Sequence, residues 1–222
     1  MIISRKETAW KKNRKFGDVK GGRTFPKITD KIFNRKHSLQ KPNKIDELPI
    51  FIKDNPSKDF FFPVNEEEIL EKIHQLPIEH RENITHIWLK KVDKQDYKNG
   101  DSFQGMFICG SGVNLIILSA FPKDLKMIFG TKKPLRKELN LYSNWCQDLR
   151  FDEKEKVWYL QWQDERIHDY YLNSLLLHEI GHFVESVYER FWSKATKNKG
   201  EKFADNFARI WHLKSKETFE NY

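Results

Sequence analysis

Hydrophobic and polar positions follow two periods along this chain, and the longest coherent stripe lies towards its C-terminal end. Leu172, Leu176, Ile180, Phe183, Val184, Val187 and Phe191 share one side of a helical wheel, while Ser174, His178, His182, Ser186 and Glu189 share the other. That period predicts a long helix with its apolar face in the core and its polar face on a cleft. Asp164 or Asp169 is placed to cap it. A second helix is expected from Glu201, where Phe203, Phe207, Ile210 and Trp211 form a stripe. Gly200, closing the polar stretch 194–200, reads as the breaker between the two.

Upstream, 48–52 and 60–64 are short apolar runs, and Asn65 can cap a helix over 66–76 with three acids in its first turn and Pro77 as its stop. Strands are expected over 84–92, 105–109, 113–120 and 157–162. The second and third join as a hairpin across Gly110, Ser111 and Gly112. The polar stretch 94–101 reads as a loop, 135–142 as a short helix and 152–156 as a turn, while 122–134 carries no assigned element. Helix, strands, hairpin, strand, helix, helix is an α+β order. The first 45 residues have few aliphatic clusters and several breakers, Gly17, Gly21, Gly22, Pro26 and Pro42 among them. They read as a flexible arm, residues 1–45, before a folded domain, 46–222.

The polar face of the long helix carries the chemistry. His178-Glu179-Ile180-Gly181-His182 is an H-E-x-x-H motif, in which the two histidines, four residues apart, project from one face with Cβ atoms roughly 5–6 Å apart. Imidazoles so placed converge on one ion, and the ion expected is Zn2+, one per chain. Glu179, turned by about 100° on the wheel, is badly placed to ligate but well placed to take a proton from water, and is the candidate general base. A hydrolytic zinc needs a third protein ligand, and Glu201 offers one after an 18-residue gap that suffices to end one helix and start another. Asp205, one turn further on, can hydrogen-bond the far ring nitrogen of a zinc histidine. The bland alternative is two surface histidines and two solvated acids near a helix start.

HEIGH followed by ExxxD resembles the gluzincin branch of the zincin metallopeptidases, the thermolysin-like arrangement, from His178 to Trp211. The resemblance implies His178, His182 and Glu201 as zinc ligands, Glu179 as base and Asp205 as the partner behind a ligand. It also implies a small twisted mixed sheet backing the metal helix, followed by the glutamate-bearing helix. In zincins an edge strand aligns the substrate by backbone pairing, a role open to 113–120 or 157–162, either of which can equally be central. The E-x-F-A segment is similar to the zinc-ligand motif of zinc aminopeptidases, and E-x-x-A-D-x-F-A to a segment of small bacterial repressor-cleaving metallopeptidases. A G-x-M-E-N substrate-amine motif and a helix-turn-helix near the N-terminus are both missing. SprT-like proteases place a histidine before a glycine as third ligand, where this chain has Lys199 before Gly200. The expected activity is zinc-dependent endopeptidase. Tyr171 and His212 are candidate oxyanion donors, the first from the wheel face of His178 and the second from that of Glu201.

Composition changes the picture in one respect. At 14% aromatic residues and 32% charged residues the chain is suited to a soluble globular core. No apolar run approaches membrane-spanning length and no apolar leader opens the sequence, so a cytoplasmic protein with no membrane partner is the expectation. Cys109 and Cys146 have no metal or redox spacing. The formal charge of +8 is uneven: residues 1–45 hold 14 Lys/Arg against 3 Asp/Glu, and the remainder comes to -3. Lys11, Lys12, Arg14 and Lys15, beside Trp10 and Phe16, can hold phosphates while a ring stacks on a base, or can meet an acidic protein or the chain's own cleft. The partners expected are therefore a protein or peptide substrate and, through the arm, nucleic acid or an acidic partner. A nucleic-acid-associated protein with structural zinc, or a protease recruited to nucleoprotein, is the alternative function.

Overall fold

A computed structural model describes residues 39–110, 112–188 and 197–220. The candidate nucleic-acid contacts Lys11, Lys12, Arg14 and Lys15 lie outside the described residues. Within the expected arm, Leu39 lies against a cluster made by Val113, Leu115 and Ile117, while Ile45 is exposed. Among the described residues no helix is long and apolar enough to cross a membrane.

The fold is mixed α+β. Strands β1 (Ile50–Lys53) and β2 (Phe60–Phe61) precede helix α1 (Glu66–His74). A 3-10 turn, β3 (His86–Lys90), α2 (Lys94–Asn99), β4 (Gly105–Gly110) and β5 (Val113–Ser119) follow. Then come β6 (Phe121–Pro122), β7 (Lys126–Gly130), α3 (Arg136–Asn140), β8 (Leu149–Asp152) and β9 (Val157–Gln161). The chain closes with α4 (Asp164–Tyr170), a π-helical turn (Tyr171–Leu175), α5 (Leu176–Tyr188) and α6 (Lys197–Glu220).

The main sheet has the order β1-β3-β5-β4, with β1, β3 and β5 parallel and β4 antiparallel to β5. The near-continuous apolar sequence of β5 suits a strand covered on both faces. Ile116 and Leu118 turn to the main core, with Ile87 and Leu89 of β3, and Leu115 and Ile117 turn to the opposite face. Burying each such side chain contributes roughly 1.5–3 kcal/mol. On the main-core side lie α5, through Leu176, Leu177, Ile180, Phe183 and Val184, and then α6, through Phe207 and Ala208. The second sheet, β7-β9-β8, is antiparallel.

Several expectations change here. Both strands considered for the substrate-aligning edge are central: β5 lies between β3 and β4, and β9 between β7 and β8. Among the described residues the edge strand beside α5 is β4. The stretch 94–101 holds a helix: the Asp93 carboxylate accepts from the amides of Gln95 and Asp96 at its start. At its end Gly100 takes φ 78°, the left-handed turn that glycine adopts without strain. Strand β7 fills part of the unassigned 122–134, and β8 precedes the 152–156 turn, both recruited by pairing with β9. Gly200 does not break α6, which already begins at Lys197. Asn65 caps α1 as expected, its Oδ1 accepting from the Glu68 amide while Glu68 Oε2 accepts from the Asn65 amide.

Candidate metal centre

The site is built on the crossing of α5 and α6. Leucines at 175, 176 and 177, with Ile180, Phe183 and Val184, fix the rotation of α5, leaving His178 and His182 on the uncovered side. Gly181 lies between the two histidines and faces α6. A Cβ built there would stand 2.7 Å from Ala204 Cα, so the two helices approach as closely as backbones allow because this position lacks a side chain. Ala204 in turn sits between Glu201 and Asp205, which places both acids opposite the histidines.

The resulting geometry is compact. Glu201 Oε2 lies 3.5 Å from His178 Nε2 and 3.6 Å from His182 Nε2. The imidazole rings meet edge to face with centroids 4.6 Å apart. One ligand atom from each of His178, His182 and Glu201 falls within 4.8 Å of the others. Asp205 Oδ1 is 2.9 Å from His178 Nδ1, the ring nitrogen that faces away from Glu201. Ligand atoms about 2.1 Å from a tetrahedral zinc stand roughly 3.4 Å apart, so the two histidine–carboxylate separations fit that ion with little adjustment. Two imidazoles and one carboxylate also form the donor set of hydrolytic zinc sites, which leave a fourth position open.

The electrostatics follow from this crowding. Burial opposes a charge on His178, but hydrogen bonds to Asp205 and Glu201 outweigh it and hold the imidazole up to about 9. The same two histidines hold the Glu201 carboxyl well below the usual carboxylate range. Glu179 is 5% exposed, and burial pushes its carboxyl up while His178 and His182 pull it down.

Glu179 is held by β4. The Phe107 amide donates to its carboxylate, and a Cβ on Gly105 would come within 2.7 Å of its Oε1. The cleft, about 650 Å³, is walled by β4 from Gly105 to Cys109 and by His178, Glu179, His182, Glu185, Ser186 and Glu201. Gly105, Phe107 and Gly181 were not singled out from the sequence as site residues. The glycine inside the H-E-x-x-H pentapeptide was the one available signal.

Neither candidate oxyanion donor reaches the cleft. Tyr171 is 1% exposed, and its hydroxyl donates to the Ser119 carbonyl at 2.7 Å. The π-helical turn explains the misplacement: Leu176 N–H bonds the Tyr171 carbonyl five residues back, so the wheel phase of His178 does not extend to Tyr171. His212 lines a different hollow with Glu68, Lys72 and Ser215 and packs against Trp145, ring centroids 5.6 Å apart.

Compared with known proteins, the chain matches no protein-family model, no curated protein and no solved structure.

Proposed function

We propose that this chain is a zinc-dependent peptidase of zincin-like architecture and gluzincin type, cleaving within extended peptide chains. The observation that supports the reading is the convergence of His178, His182 and Glu201, with Glu201 Oε2 at 3.5 and 3.6 Å from the two histidine Nε2 atoms and Asp205 behind His178. Zinc, when bound there, would supply an acidified water and a positive charge to polarise the scissile carbonyl.

The chain's own residues do the rest. Asp205 accepts the Nδ1 proton of His178, which fixes the tautomer that leaves Nε2 free to ligate. Glu179 takes the proton of the attacking water and passes it to the leaving amine. A carboxyl raised by burial suits both halves of that transfer, since its affinity for the proton lies nearer neutrality than an exposed acid's. The Phe107 amide keeps the carboxylate at the rim of the cleft.

Substrate alignment falls to β4. Among the described residues it pairs with β5 on one side only, Gln104 and Ser119 continuing the same ladder beyond its end. The Phe107 amide, bonded to Glu179, marks the opposite edge, where Gly105, Phe107 and Cys109 present their backbone groups. A substrate in extended conformation adds there as a further strand.

The test is Glu179→Gln. Zinc content at the wild-type level with peptide hydrolysis reduced by a factor of about 100 or more is the expected result. Undiminished hydrolysis would remove Glu179 from the mechanism.

A further inference from the structure

We propose that Lys72 is a reactive amine, placed to take the carbonyl group of a small uncharged aldehyde as an imine, in a hollow that shares no residue with the metal cleft. The proposal rests neither on zinc nor on peptide hydrolysis. Among the described residues Lys72 is the one lysine or arginine that is buried, at 7% exposure. A buried ammonium is as a rule held by a carboxylate, because a desolvated charge without a counter-charge is costly. Lys72 Nζ instead meets a hydroxyl, that of Ser215, at 2.9 Å. Burial, opposed by the charge of Asp169, brings its ammonium from 10.5 down to about 8.

Ser215 fixes how the amine is presented. Its hydroxyl donates to the Trp211 and His212 carbonyls of its own helix, at 2.8 and 3.0 Å, so towards Lys72 it offers a lone pair. A neutral amine has two N–H groups and one lone pair. One N–H satisfies Ser215, and the nitrogen lone pair stays available to an electrophile. The hollow, about 410 Å³, lies between α1, α4, the π-helical turn and α6. That is within the roughly 300–1,000 Å³ of small-molecule pockets. Leu172 and Asn173 of the π-helical turn form one wall, and such turns recur at functional sites. The titratable groups that share the hollow with Lys72 are Glu68 and Glu71 from α1, His168 and Asp169 from α4, and His212 from α6. Three carboxylates disfavour an anionic ligand, which sets aside a phosphate- or carboxylate-clamping role for the lysine. A desolvated lysine then offers its nucleophilic nitrogen.

The step balances without a redox partner. The Nζ lone pair forms the C–N bond, the carbonyl π pair moves to oxygen, and that oxygen takes a proton as the nitrogen releases one. The nitrogen then gives up its second proton, the C–O bond breaks and one water leaves, which completes the imine. His168, 3.1 Å from Glu68 Oε1, and Asp169 are in the same hollow to relay those protons. At pH 7.5 an ammonium of pKa about 8 is roughly one-quarter neutral amine, against about one part in a thousand for an exposed lysine near 10.4. A less basic nitrogen is also a weaker nucleophile, so the net preference expected for Lys72 is about tenfold or more.

The experiment treats the full wild-type chain with limiting glycolaldehyde, a neutral aldehyde, and cyanoborohydride to reduce each imine as it forms. Peptide mass mapping then gives the labelling rate of every lysine, so that Lys132 and Lys154, both exposed, serve as internal controls. At pH 7.5 Lys72 should be labelled tenfold or more faster than either. At pH 10, where exposed lysines also become amines, that advantage should shrink to about threefold or less. Glyoxylate, an anionic aldehyde of similar size, should label Lys72 more slowly than glycolaldehyde does. Glu201→Ala should label as wild type does, which separates this site from the metal centre. Lys72→Arg, its fold checked by circular dichroism, should lose the fast site and leave the slow ones unchanged. Labelling of Lys72 in the wild type no faster than of Lys132 and Lys154 would overturn the proposal, as would a tenfold advantage that persists at pH 10 or a preference for glyoxylate.

Discussion

Replacing Gly181 by alanine tests whether the helix crossing builds the site. The new Cβ would stand 2.7 Å from Ala204 Cα, and 3.2 Å from both Ala204 Cβ and Ala204 O. Carbon atoms rest at about 3.5–4.0 Å, so α5 and α6 must part by roughly 1 Å. Glu201 lies one turn before Ala204 on the same helix. Its separations from the histidine Nε2 atoms, now 3.5 and 3.6 Å, would stretch towards roughly 4.5 Å, against the 3.4 Å or so of a tetrahedral edge. Overpacking costs about 1–3 kcal/mol, offset by about 1 kcal/mol from the better helix propensity of alanine. Folding stability should therefore fall by no more than about 2 kcal/mol, while zinc affinity falls tenfold or more. Gly200→Ala is the matched control, because its Cβ meets Glu185 Oε2 at an ordinary 3.7 Å; zinc affinity should hold and stability rise slightly. Competition titration against a chromophoric chelator measures affinity, and urea melts of the zinc-free proteins measure stability. Wild-type zinc affinity in Gly181→Ala would refute the argument that close backbone approach sets the ligand geometry.

Three other substitutions probe separate parts of the structure. Gly105→Ala brings a Cβ to 2.7 Å from both Glu179 Oε1 and Leu175 Cδ1, so turnover should drop steeply with zinc retained, read as kcat beside metal content. Asp205→Asn keeps the shape but not the charge behind His178, and zinc affinity should fall roughly 10- to 100-fold in the same chelator competition. Lys72 is buried with its Nζ 2.9 Å from Ser215 Oγ, and burial, opposed by Asp169, pulls its ammonium from 10.5 down to about 8. Between those pH values the unfolded chain holds a proton that the folded chain has released, so stability rises with pH from about 8 to about 10.5. Lys72→Met should flatten that rise in urea midpoints taken at pH 7.5 and 10, and an unchanged pH slope would exclude Lys72 as its source.

What could be read from the sequence was what depends on neighbours along the chain. His178 and His182 are paired by helical geometry alone, as are Glu201 and Asp205, and each pair is as local as the Asn65–Glu68 capping box. That the two pairs face one another needs only a turn between two amphipathic helices. Sheet order is different: β4 becomes an edge because β5 pairs with β3, across a separation that no local pattern encodes. Strands β7 and β8 are short, carry lysine, arginine and aspartate, and owe their extension to β9. Tyr171 was misplaced by a single π-helical turn, which breaks the wheel the reading depended on. Gly200 reads as a breaker only in isolation, since the first turn of a helix tolerates glycine and here it faces Glu185.

Zinc stoichiometry decides most directly whether the site is a metal centre. Wild type and Glu201→Ala would be stripped with a mild chelator, reloaded and analysed for metal, with circular dichroism to confirm that both are folded. One zinc per wild-type chain and much weaker retention in Glu201→Ala is the expected result. A folded wild type that takes up no zinc would contradict the site as described and reduce His178, His182 and Glu201 to a charge cluster between two helices.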